Sequence, residues 1–291
     1  MSIPADIVKK VKLLELNTRK LVNSTFAGQY QSAFKGQGMT FSDFREYVPG
    51  DDVRAISWNL TARTGKTYIK KYEEERELTL ILAVDVSGSM GFGSQNFLKG
   101  EVITNLAALL GFAAAKNNDN VGLLLFSDQV EHFVPPKKGR GHIQRLLRDL
   151  YFYQPKTQNT KISEAVDYLS GILKKRATIF LMSDFMSDEP FGQILKRLSR
   201  KHELISVVVS DPAEATLPNL GLIDYFDPET EEVITLDTGS ESFRKLVYDQ
   251  FRKNKEFRDA EFRKAQIDRI DIPNDENYVD PLLNYFRKRI F

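Results

Sequence analysis

The chain has 291 residues, 42% of them hydrophobic, and 41 Lys+Arg stand against 40 Asp+Glu for a net charge of +1. There is no cysteine, which excludes disulfides, thiolate metal sites and cysteine nucleophiles. The charge balance argues against nucleic acid as the main partner, and the apolar content allows one large core, or one core with a smaller module attached.

Ile7, Val11, Leu14 and Leu21 recur at helical spacing, so residues 5–23 are expected to form an amphipathic helix. The opening run MSIPADIVKKVKLLELN holds no uninterrupted apolar stretch of signal-peptide length. The most apolar helical segment, VITNLAALLGFAAA at 102–115, falls short of the roughly 20 residues a membrane span needs. It reads as a buried helix. The expectation is a soluble, cytoplasmic protein without a membrane span. Residues 27–77 mix glycines, aromatics and paired charges and include the single tryptophan, Trp58. They read as a compact, irregular module with short strands. The best domain boundary falls near residue 77, giving an N-terminal module (1–77) and a main domain (78–291).

A regular rhythm starts at residue 78. LTLILAV (78–84) predicts a buried strand, 96–117 a helix, and VGLLLFS (121–127) a strand. QVEHFVPP predicts an edge strand stopped by two prolines. Helices are expected over 141–151 and 162–175, a buried strand over ATIFLMSD (177–184), a helix over 191–201 and a strand over 203–211. A polar, hairpin-like stretch follows, with a weaker strand at ITL (234–236). A long charged helix (240–265), a short strand (267–272) and a last helix (278–289) complete the chain. Apolar strands alternating with helices indicate the α/β class, with a doubly wound, mostly parallel sheet covered on both faces.

In such a sheet, ligands bind beyond the carboxyl ends of the strands. Asp85, Ser87 and Ser89 follow the first buried strand at alternate positions. Asp184 ends ATIFLMSD, and Thr160 lies just before a helix. Carboxylates and hydroxyls are hard oxygen ligands that suit Mg²⁺ or Mn²⁺. The competing reading makes the same residues helix caps. A phosphatase of the haloacid-dehalogenase type would place an aspartate nucleophile at Asp85 and an acid/base carboxylate two residues later. Ser87 stands there, and serine does not carry that proton. No GxxxxGK[ST] loop is present, and His132, His142 and His202 are scattered.

DVSGSM resembles the DxSxS motif of the metal-ion-dependent adhesion site in von Willebrand factor A domains. The resemblance assigns Thr160 and Asp184 to the family's threonine and second aspartate, although Gln158-Asn159 stand where a glycine pair is usual. GQGMTFSDFREYVPGDDVRAISWNLTARTGKTYIKKYEEERE, LLFSDQVEHFVPPKKGRGH, IFLMSDF and VSDPAEATLPNLGL are similar to the domain-of-unknown-function 58 family. These are von Willebrand A-like proteins associated with MoxR-type AAA+ ATPases. The resemblance implies a non-enzymatic, divalent-metal-dependent binding module that acts as adaptor or co-chaperone of such an ATPase in the assembly or maturation of other proteins. The metal ligands would be Asp85, Ser87, Ser89, Thr160 and Asp184, the cofactor Mg²⁺ or Mn²⁺. The expected partners are the ATPase and other von Willebrand factor A-like proteins. Within the RxYxPGDDxRxIxW stretch, Pro49-Gly50 predicts a turn. Arg45, Asp51, Asp52, Arg54 and Arg63 read either as an ion-pair network tying the module to the sheet or, with Trp58, as a docking face.

Overall fold

The computed structural model describes residues 22, 26–34, 39–74, 78–94, 97–216, 218–227 and 232–290. The helix expected over 5–23 lies outside them, apart from Val22. In chain order the elements are α1 (Ala27–Phe34), β1 (Met39–Glu46), α2 (Trp58–Thr64), β2 (Tyr68–Glu74), β3 (Thr79–Asp85) and α3 (Lys99–Lys116). Next come β4 (Asn120–Phe126), β5 (Val130–Lys137), α4 (Arg140–Tyr151), α5 (Ile162–Ile172), β6 (Thr178–Ser183), α6 (Gly192–Ser199) and β7 (Glu203–Ser210). The chain closes with α7 (Pro212–Ala215), β8 (Leu222–Asp227), β9 (Glu232–Asp237), α8 (Glu241–Ala265), β10 (Asp268–Pro273) and α9 (Asp280–Ile290).

The central sheet has six strands in the order β10-β7-β6-β3-β4-β5. Every pairing is parallel except β4 with β5. This is the expected α/β, doubly wound, mostly parallel sheet. Because side chains alternate along a strand, β3 supplies both faces. Leu80, Leu82 and Val84 pack with α1, α3, α4 and α9 on one side. Ile81 and Ala83 pack with α5, α6 and the end of α8 on the other. A strand buried on both faces has to be apolar, and Leu80 to Val84 of TLILAVD are all apolar. The run 102–115 sits inside α3, whose inner face fills the first of these layers. Among the described residues no helix is long and apolar enough to cross a membrane.

Three local features differ from the sequence reading. Residues 27–34, placed within an irregular module, form a helix that enters the sheet's core. Phe26, Tyr30 and Phe34 surround the buried Phe286 of α9, with ring centroids 5.3, 6.0 and 5.6 Å away. The edge strand β5 runs through Pro135 and Pro136 to Lys137 instead of stopping at them. Its register with β4 shifts between the Val134 and Lys137 pairings, so both prolines fall where the ladder is already broken. Helix α3 begins at Lys99 and not at 96, which places a lysine in its first turn. The polar stretch before α8 is an antiparallel hairpin, β8 with β9, as its pattern predicts.

Strands β1 and β2 form a separate two-stranded unit with α2 across one end. Several hydrogen bonds and two ion pairs join its own residues. Tyr47 N donates to Thr67 O, Ser57 N to Tyr68 O, and Arg45 pairs with Asp51.

Phe286 packs against the rings of Phe26, Tyr30, Phe34, Phe180 and Tyr285. Phe286→Ala should lower unfolding stability by about 3–5 kcal/mol, read from the midpoint of a urea or guanidinium titration at unchanged slope.

Candidate metal centre

Strands β3 and β6 are neighbours and parallel, so their carboxyl ends bring Asp85 and the Ser183-Asp184 pair side by side. Asp85 is the last residue of β3 and only 1% exposed. Its Oδ1 accepts the Ser87 N–H at 2.9 Å. Its Oδ2 accepts the Ser183 hydroxyl at 2.6 Å and the Thr160 hydroxyl at 3.3 Å. The chain then turns through a single 3₁₀ turn, Gly88–Gly91, which folds Ser89 back so that its Oγ lies 3.2 Å from Ser87 Oγ. Asp85 and Ser87 are buried, while Ser89 and Thr160 are half-exposed. The hydroxyl side of the cluster therefore faces outward.

Two contacts hold the Thr160 loop in place. Lys161 N donates to Ser127 O at the end of β4, and Gly88 N donates to Gln158 O, both at 2.9 Å. Gly88 also makes room for the Gln158 side chain, since a Cβ there would lie 2.5 Å from Gln158 Oε1. Gln158, standing where a glycine is usual in the resembling motif, thus packs directly on the DxSxS turn.

Asp184 lies beside this cluster, but its carboxylate is engaged elsewhere. Lys99 Nζ donates to Asp184 Oδ2 at 2.7 Å and to Glu214 Oε1 at 2.5 Å. Asp184 Oδ1 accepts the Met186 N–H at 3.0 Å. Its backbone carbonyl accepts from Arg258 of α8 at 2.8 Å. The next residue, Phe185, takes a left-handed φ of 55°, a conformation that is uncommon outside glycine. Its ring is wedged between Phe191 and Phe262 at 5.6 and 4.9 Å. Glu261, one turn along α8 from Arg258, accepts the Gly192 N–H at 2.7 Å. Helix α8 thereby braces the whole 184–192 connection.

Asp85, Ser87, Ser89 and Thr160 are brought together. Asp184 is adjacent, with its carboxylate turned to an ammonium. Sequence reading missed Lys99, Ser183, Glu214 and Arg258. The signal for Lys99 was a charged residue opening a nearly all-apolar helix. Among the described residues, no group of three or more His, Cys, Asp or Glu side chains could hold a metal. A cation here would rest on one carboxylate and hydroxyl oxygens. Burial, and then the neighbouring charge of Asp184, push the Asp85 carboxyl up to about 6, against the opposing hydrogen bonds from Ser183 and Ser87. For Lys99, burial acts downward, but Asp184 and Glu214 outweigh it and hold the ammonium above its ordinary value.

In the hallmark stretch, Arg45 grips Asp51 through two hydrogen bonds of 2.6 and 2.8 Å, and Asp51 also accepts the Val48 N–H. Asp52 accepts the Arg54 N–H and so caps a short 3₁₀ turn. This ion pair is local to the β1–β2 unit and does not reach the sheet. Arg54 and Arg63 are exposed, and Trp58 is 68% exposed.

The protein family described as "Protein of unknown function DUF58" matches residues 43–257. Uncharacterised proteins of Mycobacterium bovis and Mycobacterium tuberculosis are each 28% identical to the chain over 222 residues, covering 76% of it and 70% of the relative. Among solved structures, the conserved hypothetical protein BatB from Bacteroides thetaiotaomicron aligns with a TM-score of 0.49 at 16% identity, over 73% of this chain and 98% of its own. The VWA domain of SpRpn10 aligns with a TM-score of 0.40 at 15% identity, over 72% and 94%.

An aspartate whose folded-state pKa is raised favours folding while protonated and opposes it once ionised. Metal-free wild type should therefore lose stability relative to Asp85→Asn as pH rises from 4 to 7, by up to about 3 kcal/mol for a shift of roughly two units. Chemical denaturation of both proteins across that range checks the sign and the window.

Proposed function

The chain belongs to the DUF58 family, and on that premise we propose that it is a divalent-metal-dependent protein-binding module. It would serve a MoxR-type AAA+ ATPase as adaptor or co-chaperone in the assembly or maturation of other proteins. One observation carries the metal reading. The Asp85 carboxylate is buried beside a second aspartate, and its hydrogen-bond partners, the Ser87 N–H and the Ser183 and Thr160 hydroxyls, are all neutral. A buried charge without a counter-ion is costly, and a hard divalent cation relieves that cost with oxygen ligands. Asp85, Ser87, Ser89 and Thr160 would hold Mg²⁺ or Mn²⁺, with Asp184 alongside.

One carboxylate and neutral hydroxyls donate little charge, so the ion would be held weakly and keep some of its water. Mg²⁺ tolerates this, since it prefers six oxygens and dehydrates reluctantly. The outward-facing side, at Ser89 and Thr160, would leave a position for an acidic residue of the partner. Metal and partner would then bind cooperatively, each raising the affinity for the other by the same factor. The exposed Trp58, with Val48 and Val53 also exposed near it in sequence, offers the β1–β2 unit as a second contact surface. Tryptophan and arginine are the residue types that most often carry interface energy.

The alternative is a phosphohydrolase of the haloacid-dehalogenase type with Asp85 as nucleophile. Ser87 at the acid/base position weighs against it, and so does the engagement of Lys99 by Asp184 and Glu214. Incubated with p-nitrophenyl phosphate and Mg²⁺, the wild type should show no turnover. Sustained turnover that disappears in Asp85→Asn would replace the binding reading by the enzymatic one.

Calorimetric titration with Mn²⁺ should give saturable binding in the millimolar range or tighter for wild type, and none for Asp85→Ala. Gel filtration with a MoxR-type ATPase, nucleotide and Mg²⁺ should show co-elution that Asp85→Ala abolishes. Trp58→Ala should leave unfolding stability within about 0.5 kcal/mol of wild type, as surface substitutions do, while weakening that co-elution. Separate peaks for wild type in every nucleotide state would remove the ATPase from the proposal.

A further inference from the structure

We propose that Lys99 is a built-in cation that competes with the divalent ion for Asp184, so that the charge at residue 99 sets how tightly the centre holds metal. This rests on the metal-dependent reading above and concerns a residue outside the ligand set.

Lys99 is 1% exposed, and its ammonium lies between two carboxylates, 2.7 Å from Asp184 Oδ2 and 2.5 Å from Glu214 Oε1. Lysine is almost never buried unless it is paired, and here the pairing is double. The second partner matters most. Glu214 sits in α7 at the end of β7, and its other oxygen accepts the Asp211 N–H at 3.0 Å. Its position is therefore held independently of Lys99. Asp184 can turn away while the ammonium keeps one carboxylate, so the exchange strands no buried cation.

Asp184 has two partners of different kinds. The bond from the Met186 N–H to Oδ1 is neutral and local, whereas the contact from Lys99 to Oδ2 carries the charge. A metal ion seated against Asp85 would draw on Asp184 only by pulling it from the ammonium. Lys99 thus lowers the negative potential available to the ion, and it keeps the metal-free site intact by neutralising one of the two adjacent aspartates. Methionine at 99 has a similar length and no charge. It would leave Asp85 and Asp184 as neighbouring buried carboxylates with no ammonium between them and Glu214. Between charges a few ångströms apart in a partly buried site, that difference is large enough to change metal affinity by at least about tenfold. Glu214→Gln acts in the opposite direction, because the whole ammonium then belongs to Asp184.

The experiment is a Mn²⁺ titration of the full chain, followed by calorimetry and by the paramagnetic resonance signal of free Mn²⁺, on wild type, Lys99→Met and Glu214→Gln. Thermal melts with and without Mn²⁺ accompany it. Lys99→Met should bind Mn²⁺ at least about tenfold more tightly than wild type. It should also melt lower without metal and gain more on adding it, whereas Glu214→Gln should bind more weakly than wild type. Equal Mn²⁺ affinity in wild type and Lys99→Met overturns the role of Lys99 and leaves the metal reading standing. No saturable binding by either protein overturns both. If Lys99→Met does not fold, Glu214→Gln decides, and an affinity equal to or tighter than wild type overturns the proposal.

Discussion

Three aspartates end three neighbouring parallel strands and are buried there together. Asp85, Asp184 and Asp211 close β3, β6 and β7, and all three are buried. Each charge is handled differently. Asp211 is satisfied by neutral donors. It takes the Ser94 N–H and hydroxyl, the Ala213 N–H and the Asn274 side-chain amide. Those bonds outweigh burial and hold its carboxyl below the ordinary value. Asp184 is neutralised by Lys99, which it shares with Glu214. Asp85 has neutral donors and a nearby negative charge, and its carboxyl is pushed up. Of the three, Asp85 is left with an unresolved electrostatic cost, and it is the one surrounded by additional hydroxyls.

Each connection around these carboxylates is tied to a different element. The turn after β3 is joined to the Thr160 loop through Gly88 and Gln158, and that loop to β4 through Lys161 and Ser127. The residues after β6 are clamped by Arg258, Glu261 and Phe262, which recur along α8 at spacings of three and one, all within one turn. Ser94 and Asn274 bind Asp211 although they lie 180 residues apart in sequence. A left-handed Phe185 is tolerated because its ring is held between two others, the kind of local strain that surrounding structure has to over-determine.

The β1–β2 unit follows a different economy. It fastens its turn with the Arg45–Asp51 pair and leaves Trp58, Val48 and Val53 exposed. On the proposed adaptor role, the two surfaces would act separately. One surface would read an acidic group through metal, and the other would offer apolar contact that does not depend on it.

Periodicity alone was enough for the sheet. Apolar runs of six or seven residues alternating with amphipathic helices admit one arrangement, parallel strands covered on both faces, because only that arrangement buries both sides of LTLILAV and ATIFLMSD. Four of the five candidate residues do converge, and strand ends and helix starts are local features legible in the sequence. The engagement of Asp184 was not legible. It depends on Lys99 and Glu214, which lie 85 residues before it and 30 after it. A lysine opening a largely apolar helix hints at burial, but nothing in the local sequence names its partners. Helix α1 escaped for the same reason, its eight residues being too short and mixed for a periodic signal, and it acquires meaning only against Phe286. Sequence determines which residues must leave water. Tertiary packing decides which charges then have to share a partner, because pairing is settled by distances between elements that the chain order does not contain.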